Sequence, residues 1–380
     1  MKKIGIISLY YHSENCGGVL QALALERVLR DKGFDAEQIL YRRSRNTSRR
    51  LKLKKNGLGW FLRRMWERVQ TELCDRLFCR KELRMRRHAF SGFKEKFIRD
   101  SRSVYTEDTI RDTLSCYDAF VCGSDQVWLP GSVDQVRLLG FVPEETLKFS
   151  YSASIAAEIP REKEALYREA IETLRGVSVR ESGARDALRR ITHREIQLTL
   201  DPTLLLSAQA WQEYAAGRLV PGRYILCYLL GNDRRVHRAV REFARKKGLP
   251  IVCVICAGKE HELSALGFGD KRMIAVGPAE FLALIRDAAY VFADSFHAVA
   301  FSVIFRKEFW AFHRKTYTAA DDRIRSLLGL LHIEGRCLEE PEALREESDG
   351  TIAYEAVNER LREWTGLSHR YLDACLKEAG

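Results

Sequence analysis

No stretch of this chain reaches eighteen uninterrupted apolar residues, which argues against a membrane-spanning helix. Metal-ligand spacings are equally scarce. There is no HxxxH, and the lone CxxC, Cys253-Val254-Ile255-Cys256, lies inside an apolar run read as a strand, where residues three apart point to opposite faces. A structural zinc is thereby disfavoured and no metal is assigned. The ten cysteines are scattered through apolar segments of a chain long enough to build cores without staples, so they read as buried small hydrophobes, not as a disulfide framework. Dinucleotide and nucleotide-phosphate signatures are missing as well. The turn after the first apolar run is Asn15-Cys16-Gly17-Gly18, neither GxGxxG nor a Walker loop, and no acidic residue ends the next strand. Internal repeats and low-complexity tracts are absent.

What remains is ample. A chain of 380 residues, 46% apolar and 10% aromatic, suits two domains of ordinary size, each with a core. The start, Met1-Lys2-Lys3 followed by Ile4–Leu9, is basic then apolar, but the run is short and has no small-residue cleavage site, so it reads as a first strand in a cytoplasmic protein. Charge is uneven. Residues 42–102 hold 21 Lys and Arg against 6 Asp and Glu, so this segment alone carries +15 of a chain whose net charge is +11.

Strand-like and helix-like segments alternate. Ile4–Leu9, Ala36–Tyr41, Ala119–Cys122, Lys148–Ser152, Val177–Val179 and Gln197–Leu200 read as strands, with helices over Val19–Asp31, Arg161–Arg175 and Gly183–Arg190. Asp201-Pro202 punctuates the chain. The pattern restarts with strands at Tyr224–Leu230, Ile251–Ile255, Met273–Val276, Tyr290–Ala293 and Phe309–Phe312, and helices at Arg234–Lys247, Ala279–Ala288 and His297–Ile304. The expected fold class is α/β with two Rossmann-like domains. The expected boundaries are 1–204, with a basic amphipathic insert at about 42–102, then 205–341, then a helical tail, 342–380, packing back on the first domain.

Chemistry-bearing residues gather where strands end and helices begin, the edge at which ligands bind in open α/β sheets. Asn15, Gly17 and Gly18 offer a tight turn and a helix N-terminus for an anion; the bland alternative is a turn alone. Ser124, Asp125 and Gln126 in Gly123-Ser124-Asp125-Gln126-Val127-Trp128 are suited to a sugar or carboxylate pocket, or to an Asx turn. Arg180 ends a buried strand, able to grip carboxylate or phosphate bidentately or to pair with Glu181. Asp294-Ser295-Phe296-His297 brings an acid, a hydroxyl and an imidazole to one strand end; alternatively Asp294 and Ser295 cap a helix and His297 is structural.

Together, Asn15-Cys16-Gly17-Gly18-Val19-Leu20-Gln21-Ala22, Gly123–Trp128, Ser178-Val179-Arg180-Glu181, Asp201-Pro202-Thr203, Asp294–His297 and Asp322-Arg323-Ile324-Arg325-Ser326-Leu327-Leu328 form an ordered set that resembles the polysaccharide pyruvyl transferase family, over about residues 1–335. The resemblance implies a GT-B-type arrangement with the site in a central cleft. It also implies transfer of a pyruvyl group from phosphoenolpyruvate, as donor substrate without a cofactor, to sugar hydroxyls as a ketal in cell-surface polysaccharide synthesis. Such a site needs cations for carboxylate and phosphate, a proton donor and a base. Arg180 matches a donor-binding arginine; His297 matches the motif histidine, for phosphate binding and proton transfer; Asp125 or Asp294 is the base for the acceptor hydroxyl. Members of the family tend to carry Arg-Leu-His where this chain has Ser295-Phe296-His297. One donor-binding arginine is therefore missing, for which Arg323, Lys307 or Lys315 could supply charge.

The basic segment contains Trp60, Phe61, Leu62, Met65, Trp66, Val69, Leu73 and Leu77 at helical spacing, flanked by arginines. Residues 58–80 therefore suit either the anionic inner face of a membrane, beside a lipid-linked or polymeric sugar acceptor, or the protein's own core. No RNA-binding motif accompanies the charge, so nucleic acid is not expected as a partner. Two other readings of the fold are a glycosyltransferase using a nucleotide-sugar donor and a catalytically silent glycan- or membrane-binding relative.

Overall fold

The structure is a computed structural model that describes residues 2–43, 80–255, 267–313, 323–345 and 350–377. The proposed membrane-facing stripe at 58–79, Lys315 and Asp322 lie outside the described residues.

Two parallel sheets carry the chain, as the alternation of apolar runs and amphipathic helices requires. In the first, β1 (Lys3–Ile7), β2 (Asp35–Tyr41), β3 (Asp100–Tyr105), β4 (Ala119–Cys122) and β5 (Leu147–Ser150) lie in the order β3-β2-β1-β4-β5. A parallel pair, β6 (Val177–Val179) and β7 (Ile196–Leu198), continues it through single bridges from Ala153 to Asp125 and to Val179. The second sheet contains β8 (Ile225–Tyr228), β9 (Ile251–Val254), β10 (Lys271–Met273), β11 (Tyr290–Ala293), β12 (Glu308–Phe312) and β13 (Cys337–Leu338), in the order β10-β9-β8-β11-β12-β13.

Strand order reverses between β1 and β4 in one sheet and between β8 and β11 in the other, and such switch points are where crevices open at the carboxyl ends of strands. Register makes this concrete. Ile7 lies beside Cys122, so the loops leading to Asn15 and to Gly123–Gln126 leave side by side. Tyr228 lies beside Ala293, so the turn after β8 faces Asp294.

A shared core joins the two halves. Helix Cys16–Asp31 contributes Val19, Leu20 and Leu23, and helix Phe296–Ile304 contributes Val299, Ala300 and Phe301. Trp211, fully buried just after the boundary, meets Phe301 edge-on at 4.9 Å. Helix Tyr354–Leu376 crosses back to the first domain, where Tyr371 donates to the Ser150 carbonyl at 2.7 Å and Ser368 Oγ accepts from Leu200 N at 3.0 Å. No described helix is long and apolar enough to cross a membrane.

The end of the basic segment departs from expectation. Helix Arg80–Phe97 and β3 complete the crossover that follows β2 and form the edge of the first sheet, so this part is integral to the sheet and is not an insert. Leu83, Arg86, Phe90 and Phe93 form its buried face at heptad-like spacing. Arg86 disguised that stripe in the sequence, because an arginine is rarely buried unless paired. Here its Nε donates to the Ile274 carbonyl at 2.7 Å, tying the helix to the second domain.

Burial also places one acid at a cost. Glu26, 1% exposed, accepts from Arg99 N at 3.0 Å and lies 3.5 Å from Arg30. Burial pushes its carboxyl up to about 8, against the smaller lowering by Arg99 and Arg30. The folded state therefore binds a proton that the unfolded chain releases near its ordinary pKa. Stability associated with this group is full below that value and is lost as pH rises toward 8. Glu26→Gln is expected to melt increasingly above wild type between pH 5 and pH 8 and to converge with it in more acidic buffer, as followed by thermal denaturation.

Candidate functional site

Arg180 leaves β6 at the seam between the domains and is 3% exposed. A buried guanidinium needs anions around it, and the chain supplies three. Its Nη1 donates to Asp201 Oδ2 at 2.6 Å, its Nη2 to Asp125 Oδ1 at 3.4 Å, and Glu181 Oε2 lies 3.8 Å from its Nε. The Phe296 ring sits 4.1 Å from Cζ, so the residue before the motif histidine stacks on the arginine. Burial lowers the guanidinium's pKa, but Asp201, Asp125 and Glu181 reverse that and leave it raised.

Asp201 is the hub; in the sequence it stands in the family set as Asp201-Pro202-Thr203, but with no role assigned beyond punctuating the chain. Its Oδ1 accepts from Thr203 N at 3.0 Å and from Thr203 Oγ1 at 2.7 Å. Its Oδ2 accepts from Ser124 Oγ at 2.9 Å as well as from Arg180, and lies 3.6 Å from His297 Nε2. Burial pushes this carboxyl up, but His297, Arg180 and Thr203 hold it far below the ordinary range. The available signal was an acid, a proline and a hydroxyl directly after a strand, Asp201-Pro202-Thr203. The acid accepts the hydrogen bonds of a tight turn while a second oxygen remains for the site.

His297 enters from the other domain, on the first turn of helix Phe296–Ile304, and is 6% exposed. It packs against the start of helix Cys16–Asp31 so closely that a Cβ on Gly17 would stand 2.0 Å from His297 Nδ1. This is why glycine is required at position 17. The Gly17 and Gly18 N–H groups both point to Asn15 Oδ1, at 2.9 and 3.3 Å, so Asn15 serves as the helix cap.

Asp125 is 9% exposed and has φ 65°, ψ −173°, a region essentially reserved for glycine, at a cost of about 1–3 kcal/mol. Burial raises its carboxyl's pKa, but His297, Arg180 and Arg323 outweigh it and hold the group below the usual carboxylate range. Glu181 differs. Burial drives it up, only partly offset by Arg180 and Arg323, while its Oε1 accepts from Ile155 N at 2.9 Å and Ala156 N at 3.2 Å.

Arg323 opens helix Arg323–Leu330 of the second domain. With the Gln126 amide oriented so that its oxygen faces this helix, Arg323 donates to it from Nη1 at 2.8 Å and Nη2 at 3.0 Å. Arg323 thus brings a second cation to the cluster that holds Arg180, Asp125 and Glu181. Lys307 does not reach it: its Nζ donates to the Ala288 carbonyl at 3.1 Å, near the start of β11.

Asp294 stands apart in role. Its two oxygens accept from Leu230 N at 2.5 Å and Gly231 N at 2.6 Å, fastening the turn after β8 at the switch point. It is placed as a turn-holding acid, whereas Asp125 faces Arg180. Ser295 occupies the N-cap position of helix Phe296–Ile304 without a side-chain capping bond. The structure therefore brings together Arg180, His297, Asp125, Ser124, Gln126 and Arg323, adds Asp201 and Glu181, and gives Asn15, Gly17, Gly18 and Asp294 framework contacts.

Among the described residues, four buried polar atoms of this cluster make no hydrogen bond of ordinary length: Arg180 Nε and Glu181 Oε2, which face each other at 3.8 Å, His297 Nε2, which faces Asp201 Oδ2 at 3.6 Å, and Ser154 Oγ. Buried groups held at such long distances are uncommon, and here they gather at one seam.

Residues 15–315 match the family model for polysaccharide pyruvyl transferase. No curated protein matches the chain in sequence. Among solved structures, the UDP-bound S. aureus MnaA aligns over 100% of this chain and 97% of its own at 12% identity, TM-score 0.55. UDP-N-acetylglucosamine 2-epimerase from Rickettsia bellii aligns over 99% and 96% at 10% identity, TM-score 0.56. At these identities the likeness is one of fold: two Rossmann-like domains in the GT-B manner.

Proposed function

This chain belongs to the polysaccharide pyruvyl transferase family, and on that premise we propose that it moves a pyruvyl group from phosphoenolpyruvate to two hydroxyls of a sugar, forming a ketal and releasing phosphate. The observation that carries this reading is the meeting of Arg180 and His297 from opposite domains on one buried carboxylate, Asp201 Oδ2, at 2.6 and 3.6 Å.

In this reading Arg180 takes the donor carboxylate, with Arg323 adding charge on the phosphate side in place of the arginine that Ser295 does not supply. His297 delivers a proton to the donor's methylene carbon, leaving an oxocarbenium-like C2. The first acceptor oxygen bonds to C2 as its proton passes to Asp125. The second hydroxyl oxygen then bonds to C2 as the C2–O bond to phosphate breaks; its proton passes to His297, restoring the one given to the methylene carbon, and phosphate leaves with the bridging oxygen. Asp201 touches neither substrate and acts as a positioning residue, fixing Arg180 beside His297. The acceptor belongs to cell-surface polysaccharide assembly, as a lipid-linked or polymeric sugar presented at the inner membrane face.

The test is phosphate release from phosphoenolpyruvate with lipid-linked glycan extract, assayed on wild type and Arg180→Ala. Release by wild type alone is the expected result; equal background in both, across a range of acceptors, removes the pyruvyl-transfer reading.

A further inference from the structure

Arg180 is not waiting empty for a donor. Both of its terminal nitrogens already hold carboxylates of the chain itself, and the two are held very differently. Asp201 is locked by Thr203 N, Thr203 Oγ1, Ser124 Oγ and the short bond to Arg180. Asp125 meets Arg180 only at 3.4 Å, from a backbone conformation suited to glycine, and its Oδ2 lies near the Gly18 end of helix Cys16–Asp31. One carboxylate is built in; the other is replaceable.

We propose that the donor's carboxylate takes the place of Asp125 on Arg180, and that this exchange frees Asp125 to act on the acceptor hydroxyl. The proposal rests on the donor reading above and adds an order to it: donor first, acceptor second. Before the exchange His297, Arg180 and Arg323 together hold Asp125 below the usual carboxylate range, so it is a weak base. Afterwards it keeps His297 and Arg323 but has lost Arg180 and stands beside a new anion, so it binds a proton more strongly than before. Arg180 Nε, which faces Glu181 Oε2 only at 3.8 Å, is the second nitrogen of the fork that a planar carboxylate would engage beside Nη2. The strained backbone at Asp125 serves the same end, because it holds the carboxylate where it can pair with Arg180 without a strong bond to keep it there.

Removing the Asp125 charge should therefore improve donor binding while stopping transfer, the opposite of what a residue that merely builds the pocket would do. Titration calorimetry with phosphoenolpyruvate on wild type and Asp125→Asn is expected to show binding roughly tenfold tighter in the variant, because a competing like charge has gone. Ketal formation should be lost in the same protein. Asp125→Gly is a second carboxylate-free variant at a position whose backbone glycine accommodates, and it is expected to behave alike. Its result decides the matter if Asp125→Asn does not fold. Equal or weaker binding in the folded variants overturns the exchange while leaving the donor assignment standing. No phosphoenolpyruvate binding to wild type or variants removes the donor assignment itself, and the exchange with it.

Discussion

Replacing Arg180 by alanine is expected to cost about 3–5 kcal/mol of folding stability in addition to transfer activity, because the change strands buried carboxylates that lose their shared cation. Asp201 keeps the Thr203 and Ser124 bonds, yet its charge then lacks its nearest guanidinium, and Asp125 loses its ion pair with Arg180. In wild type, Asp125 and Asp201 have depressed pKa values, so they contribute stability above their ordinary range that is lost as pH falls through it. The variant has forfeited much of that contribution already. The melting difference between the two proteins should therefore be large near neutrality and shrink in acid. Arg180→Lys restores charge without the planar fork and should recover part of the stability without the donor grip.

Gly17→Ala should separate chemistry from binding. The added Cβ would stand 2.0 Å from His297 Nδ1 and 2.3 Å from Cγ, so the ring or the helix start must move. Alanine is the better helix former, but the clash also reaches His297 Cβ at 2.8 Å, so a loss of stability is expected beside the kinetic effect and rates are compared where the variant is folded. Arg180 keeps its own bond to Asp201, so donor affinity should change less than the rate. The proton donor is displaced on the scale of an ångström, enough to lower kcat by about 10²-fold. Steady-state rates together with calorimetric donor binding resolve the two effects. A variant with unchanged kcat would mean that the position of His297 is irrelevant to the reaction.

Much of this site was legible in the sequence because its residues sit at ends of short apolar strands, where the α/β pattern fixes their location. Arg180 after Val177–Val179 and His297 after Tyr290–Ala293 are of this kind. The long-range pairing was not legible. Nothing local distinguishes Asp201, which follows β7 as a turn acid, from an ordinary punctuation residue; its role exists only once β6 and β7 are laid against the first sheet and His297 arrives from the second. The contacts of Asp294 were not legible for the same reason, since it accepts from backbone N–H groups of a turn over sixty residues earlier. Helix Arg80–Phe97 and β3 were hidden by charge: an arginine occupies the buried stripe of one, and Asp100-Ser101-Arg102-Ser103 opens the other with little apolar signal. The close approach behind Gly17 is likewise a contact between domains, and a glycine pair before a helix reads first as a turn.

The most direct measurement is mass analysis of the acceptor after incubation with phosphoenolpyruvate, with released phosphate counted alongside. The expected result is an acid-labile mass gain of one pyruvate less one water, one phosphate per acceptor modified, and neither product with Arg180→Ala or His297→Ala. An acceptor that instead gains a sugar from a UDP-linked donor, with phosphoenolpyruvate inert, would contradict pyruvyl transfer at this site.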